Sequence, residues 1–216
     1  MSPKKTLVLG TLLLVPVLVF LFLKMFGVNT FSLRTYFPAK VTTTAANGVV
    51  QSDTTFFQVP EFQLTSQTGA TFSHKNLQGK VYVAHFFDAS CQGSCKQVST
   101  QLTRVHDAFY AYPEVMIVSF TLKPVQDQVN VLEQYAKSFR ANPVHWVFLT
   151  GPQAQIDSIA YRGKPSSVAN SHEINHDELW LVDKERHVRG VYNGSQADEI
   201  DRLITEINVL ISEYKK

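Results

Sequence analysis

The chain alternates between two kinds of apolar pattern. Thr6 to Leu23 is a continuous run of 18 residues without a charge, TLVLGTLLLVPVLVFLFL. It approaches the ~20 apolar residues that a membrane-spanning helix needs. Gly10 and Pro16 fall inside it, which helices in lipid tolerate. It is longer than the apolar core of a secretion signal, and no small-x-small cleavage site follows, the next residues being Lys24, Met25, Phe26 and Gly27. The run therefore predicts an uncleaved N-terminal anchor over 1–26. Residues 27–55 show neither helical nor strand periodicity with a buried face, and predict a flexible tether.

From Phe56 onward, helix and strand periods alternate. Phe62–Leu64 and Thr71–Phe72 flank Gln67-Thr68-Gly69, a hairpin signal. Val81–Phe87 (VYVAHFF), Val115–Leu122 (VMIVSFTL) and His145–Leu149 (HWVFL) are short apolar runs of the kind that form buried strands. Helical spacing marks Ser94–Tyr110, Asp127–Phe139 and Pro152–Tyr161 between them. Glu178–Val182 and Val188–Tyr192 bracket a turn, and a final helix from Gln196 to Tyr214 has an Ile/Leu stripe with Ser195 as its expected N-cap. Such alternation predicts an α/β domain over 56–216, a central sheet with helices on both faces.

Composition narrows the classes. Two cysteines in 216 residues exclude a disulfide-rich scaffold, a four-cysteine zinc site and a thiolate-ligated iron–sulfur cluster. The net charge of +2 is unclustered, so nucleic acid is not an expected partner. Without Lys4, Lys5 and Lys24 around the anchor, the rest carries −1. With the short N-terminus placed in the cytoplasm, the expectation is a single pass of a bacterial inner membrane with the soluble domain in the periplasm.

The two cysteines share one motif, Phe86-Phe87-Asp88-Ala89-Ser90-Cys91-Gln92-Gly93-Ser94-Cys95. They follow a predicted buried strand and open a helix, where unpaired amides and the helix dipole favour a thiolate. Three intervening residues set the second thiol about one helical turn after the first. The pair can close a disulfide or converge on one metal ion. A soft ion such as Cu(I) suits two thiolates, whereas zinc usually takes four ligands. A strand–Cys–helix junction in this order fits a thioredoxin-like three-layer sandwich, preceded here by one N-terminal transmembrane helix.

A third donor would be imidazole. Of seven histidines, His85 reads as a satisfied core side chain, His74, His106 and His187 as surface residues, and His145 as the residue before a strand. His172 and His176 precede the closing hairpin, whose loop faces the start of the first helix in a thioredoxin-like fold. Spacing alone does not choose between them. Asp127 reads as a helix N-cap.

At these residues the chain resembles the Sco/SenC family. The resemblance runs from about Phe56 to Tyr214. It covers Val59-Pro60-Glu61-Phe62-Gln63-Leu64, the Cys-x-x-x-Cys at Cys91 and Cys95, Leu132-Glu133-Gln134-Tyr135-Ala136, and His176-Asp177-Glu178-Leu179-Trp180-Leu181-Val182-Asp183. The resemblance implies a membrane-anchored, thioredoxin-like copper protein that delivers copper to, or reduces the cysteines of, the dinuclear copper site of cytochrome c oxidase subunit II. It implies Cys91, Cys95 and His176 as ligands for Cu(I), with Cu(II) a further state, and Cys91 and Cys95 as a redox pair. Its client would be oxidase subunit II or another copper or thiol protein. The competing expectation is a membrane-anchored thiol–disulfide oxidoreductase with no copper delivery. The chain departs from the family where members carry Pro after each Cys, having Gln92 and Lys96, and around the His, having Asn175 and Asp177.

Overall fold

The computed structural model describes residues 3–26, 32–46, 49–162 and 176–215. His172 lies outside the described residues. The chain divides into two compact units, residues 1–32 and 33–216.

The first unit holds one helix, α1 (Pro3–Phe26), with Pro16 inside it. Its side chains are described for 11–22, where Leu12 to Phe22 expose large apolar groups. Among the described residues, no helix is long and apolar enough to cross a membrane.

The second unit begins at Leu33, earlier than the predicted boundary near Phe56. Much of the predicted tether is a two-stranded antiparallel ribbon, β1 (Pro38–Ala46) with β2 (Val49–Phe56). Threonines and valines favour the extended backbone, and a ribbon on its own leaves no apolar alternation to read. The residues before it are docked. The Tyr36 amide donates to the Val188 carbonyl at 2.7 Å, and the Phe37 ring meets Trp180 edge-on at 5.6 Å. Two neighbouring aromatics in an irregular segment carry no period, so the sequence pattern missed them.

The remaining strands are β3 (Gln63–Ser66), β4 (Thr71–Ser73), β5 (Val81–Phe87), β6 (Val115–Thr121), β7 (Trp146–Thr150), β8 (Glu178–Val182) and β9 (Val188–Asn193). They form one sheet in the order β4-β3-β7-β6-β5-β8-β9. β5, β6 and β7 run parallel; β8 and β9 close one side antiparallel, and β3 joins the other. Helices α2 (Ser94–Ala108), α3 (Val129–Ser138), α4 (Gln153–Arg162) and α5 (Ala197–Glu213) supply the outer layers. Every residue of β5, β6 and β7 is buried, as expected of strands covered on both faces.

The alternation of side chains along each strand separates two cores. Val81, Val83 and Phe87 join Val98, Leu102 and Val105 of α2 and Leu203, Ile207 and Leu210 of α5. Tyr82, Ala84 and Phe86 face the opposite way, toward Ile156, Ile159 and Ala160 of α4. The three-layer, thioredoxin-like α/β arrangement is therefore the observed one. His85 falls on the α2 side by this parity, above Phe87, with the rings stacked at 5.6 Å.

Candidate functional site

The site lies at the C-terminal end of β5. The strand ends at Phe87, whose carbonyl accepts the Leu122 amide at 2.7 Å. Asp88 then folds the chain back. Its Oδ1 accepts the Ser90 amide at 2.8 Å and the Ser90 hydroxyl at 2.7 Å, while its carbonyl accepts the Cys91 amide at 3.1 Å. Gly93 stands at φ +103°, a conformation that L side chains rarely adopt, and the chain turns there into α2. Cys91 and Cys95 are joined as a disulfide across this turn, with Cα atoms 6.3 Å apart. Cys95 is buried at 2 % exposure, and Cys91 is half-exposed. Cys91 is thus the more accessible sulfur of the pair.

Two buried carboxylates hold this loop. Asp88 is paired with the Lys123 ammonium at 2.5 Å. Burial opposes ionisation of Asp88, but hydrogen bonds from Lys123 and Ser90 outweigh it and keep the carboxyl below its ordinary range. Asp127 is 1 % exposed, and its Oδ2 accepts the Ala89 amide at 3.1 Å and the Thr121 hydroxyl. Asp127 is therefore not the cap of α3, as the sequence suggested; the N-cap is Gln128. A cap and a cross-loop anchor look alike in sequence, because both place a carboxylate just before a helix. Ser195 likewise does not cap α5: Gln196 holds that position, and the Ser195 hydroxyl bonds the Asn193 side chain at 2.7 Å.

His176 lies in the turn two residues before β8. His85 on β5 pairs with Leu179 on β8, and these strands are antiparallel. Three residues before Leu179, His176 lies beyond the end of β5 from which the cysteine loop departs. The ring is half-buried, and its Nδ1 is buried with no hydrogen-bond partner. As a disulfide the two sulfurs are not thiolates. Among the described residues no group of three His, Cys, Asp or Glu side chains stands ready to hold a metal.

His85 proves to be more than a satisfied core residue. Its ring is fully buried, with Nδ1 3.1 Å from the Ser119 hydroxyl, but its Nε2 has no partner. Burial, reinforced by the charge of nearby His176, pushes its pKa from 6.5 down to about 3. A histidine inside an apolar strand gives no sign of which ring nitrogen is satisfied. His106 is also buried, not on the surface as expected, with its ring against Trp146 at 5.9 Å. Its position on α2 turns it toward β7, which the helical pattern alone could not locate.

Comparison with known proteins gives a consistent answer. A profile of the SCO1/SenC family matches residues 51–212. The SCO1 protein homolog of Bacillus subtilis (strain 168) is 25% identical over 169 residues, covering 76% of this chain and 88% of the relative. A SCO1/SenC family lipoprotein from Bacillus anthracis superposes with a TM-score of 0.62 at 26% identity, over 71% of this chain and 95% of the other. BsSco, described as a Sco family member with a disulfide switch and as belonging to cytochrome c oxidase assembly proteins, gives 0.60 at 25% identity, over 71% and 93%.

Proposed function

The chain belongs to the SCO1/SenC family, and on that footing we propose that it is a membrane-anchored copper-binding assembly factor. Its client in this reading is the dinuclear copper site of cytochrome c oxidase subunit II, to which it delivers copper, whose cysteines it reduces, or both. The observation that carries the reading is the Cys91–Cys95 pair, set between the end of β5 and the first turn of α2 with Cys91 accessible. The assembly role printed for BsSco supports it.

The donor set fits the cargo. Reduction of the disulfide takes two electrons and two protons from a dithiol partner and leaves two thiols. Their thiolates, with the His176 imidazole, make a soft three-donor set for Cu(I). The orphaned Nδ1 of His176 is consistent with a ring held for a bound group. The same pair can reduce a client. Cys91 thiolate attacks one sulfur of the client disulfide and forms a mixed disulfide, releasing the first client thiolate. Cys95 thiolate then attacks the Cys91 sulfur and frees the second, so two electrons pass to the client and this chain returns to its disulfide.

The long uncharged run of α1 supports an anchor in a bacterial inner membrane, and a disulfide suits a domain on the oxidising, periplasmic side.

A second reading is a thiol–disulfide oxidoreductase without copper delivery, favoured by the closed disulfide itself. One experiment separates them. The reduced full chain in detergent is titrated anaerobically with Cu(I) against a chromophoric chelator, beside Cys91→Ser, Cys95→Ser and His176→Ala. Binding of one Cu(I), weakened strongly in each variant, supports the copper reading. Equal affinity in all four proteins, or none in any, overturns it and leaves the oxidoreductase.

A further inference from the structure

A cavity of about 380 Å³ opens between the start of β5, the 3-10 turn His74–Leu77 and the turn that joins β8 to β9. Pockets for small ligands span about 300–1,000 Å³. It lies away from the cysteines. Tyr82 stands near the start of β5, paired with Val182, whereas the cysteine loop leaves the strand after Phe87, roughly 16 Å further along the backbone. Phe62 and Leu77, both buried, give the cavity an apolar wall. We propose that this cavity binds a carboxylate carried on an apolar body. The Arg186 guanidinium pairs with the carboxylate, the Tyr82 hydroxyl donates to it, and Phe62 and Leu77 pack against the apolar part. The inference is independent of the copper reading.

Two groups facing the cavity have donors to spare. Tyr82 is 1 % exposed and lines the cavity, yet its hydroxyl makes no hydrogen bond among the described residues. A hydroxyl out of water is costly to leave unpaired. Burial raises this phenol above its ordinary range, so it keeps its proton and can donate. Arg186 carries five N–H donors. Its nearest carboxylate oxygen, on Glu61, is 3.9 Å from Nη1, beyond hydrogen-bond distance. The Glu61 side chain is 70 % exposed, so it can turn to water at little cost. The other charges at the rim are engaged with Tyr214: the Lys184 ammonium lies over its ring at 4.3 Å, and Glu185 accepts its hydroxyl. A guanidinium fork beside a phenol O–H matches the two oxygens of a carboxylate. A phosphate dianion would find one guanidinium and face both Glu61 and Glu185.

The backbone of Arg186 points the same way. It stands at φ +69°, in the left-handed region where glycine is the ordinary residue. The turn uses only its main chain: the Arg186 amide donates to the Asp183 carbonyl at 3.1 Å, and its carbonyl accepts the Val59 amide at 2.9 Å. Asp183 Oδ1 fixes the rest of the turn by accepting the Glu185 and His187 amides at 3.0 and 2.8 Å. A glycine would keep every one of these bonds with less strain. The turn therefore does not account for the long cationic side chain, which the same bonds hold against the cavity.

The test uses the full chain, 15N-labelled, in micelles of an uncharged detergent. Three probes are titrated and followed in 1H–15N spectra: 3-phenylpropionate, the tripeptide Ala-Ala-Phe with a free C-terminal carboxylate, and the same tripeptide as its C-terminal amide. Both carboxylates should shift the Val59, Arg186 and His187 amides and leave those of Cys91 and Cys95 unmoved. The amide should bind at least tenfold more weakly. Tighter binding of the tripeptide acid than of phenylpropionate supports a chain end as the ligand, and the reverse order supports a free acid. Tyr82→Phe and Arg186→Gly should each weaken carboxylate binding about tenfold or more. Glu61→Gln, which removes the competing anion, should bind as tightly as the wild type or tighter. Arg186→Gly should unfold at no lower urea concentration than the wild type, since glycine relieves the positive φ. No shift at millimolar probe, equal binding of acid and amide, or unchanged affinity in Arg186→Gly overturns the proposal. So does weaker binding by Glu61→Gln, or an Arg186→Gly protein that unfolds at lower urea, which would assign the guanidinium to the fold. None of these readouts involves the cysteine pair, so failure here leaves the copper reading as it stands.

Discussion

Lowering the pH should destabilise the folded chain through His85, by an amount the structure allows to be worked out. In the fold its pKa is about 3, against 6.5 for a free ring, because the site is dry and His176 lies near. The unfolded chain therefore takes up a proton that the folded chain refuses. The stability involved is fully present above pH 6.5 and is lost as the pH falls from there toward 3. At pH 5 the unfolded ring is nearly all protonated and the folded ring hardly at all, so the loss from this one residue is about 2 kcal/mol. With a urea dependence of roughly 2 kcal/mol per molar, the unfolding midpoint should move down by about 1 M between pH 8 and pH 5 on this account. The assay is urea denaturation of the oxidised full chain in mild detergent, followed by tryptophan fluorescence, since Trp146 and Trp180 are both buried. His85→Gln removes the titration while keeping a group able to bond Ser119. The variant should lose about 2 kcal/mol less than the wild type over the same pH interval. Other titrating groups are common to both proteins and cancel in that difference. An equal acid loss in the two proteins would refute the buried, neutral ring.

Three further outcomes follow from the loop. After reduction, an alkylating reagent should label Cys91 before Cys95, with Cys95 in the Cys91→Ser variant reacting about tenfold more slowly than Cys91 in the Cys95→Ser variant, as read by mass spectrometry; equal rates would contradict the burial of Cys95. Asp127→Ala leaves the Ala89 amide and the Thr121 hydroxyl without their acceptor and should cost about 2–3 kcal/mol in urea denaturation, whereas an exposed N-cap would cost about 1. Gly93→Ala meets no neighbour within 4 Å of its new Cβ but must hold φ +103°, so it should cost about 1–2 kcal/mol by backbone strain alone; a neutral change would mean the turn relaxes freely.

The alternation of apolar runs was enough to place β5, β6, β7 and the hairpin of β8 and β9 within a residue or two. Those strands carry their identity locally: a buried run of VYVAHFF has few other ways to hide. The cysteine motif was equally local, since four residues of separation and a glycine suffice to close a turn. The ribbon of β1 and β2 was not legible because a two-stranded sheet on its own carries no buried alternation, and the docking of Tyr36 and Phe37 because it depends on Val188 and Trp180, far along the chain. The β3 strand is similar; its place beside β7 is a matter of topology.

The sequence by itself thus determined the strands and helices from β3 onward, the thioredoxin-like layering and the cysteine pair at the start of α2, and left His172 and His176 both open before the last hairpin. Tertiary structure decided which groups are dry and which nitrogen is satisfied. Asp88 and Lys123 carry no special sign in sequence and Asp127 looks like a helix cap, and only the fold turns them onto the loop that bears Cys91. His85 looks like one more buried strand residue until β6 and β7 are placed beside it. Ser119, itself held by Trp146, then meets one ring nitrogen, and the other is left without a hydrogen-bond partner. The reason is physical: periodicity records which side of an element is buried, but a hydrogen bond needs a specific atom from a distant strand, and nothing local encodes it.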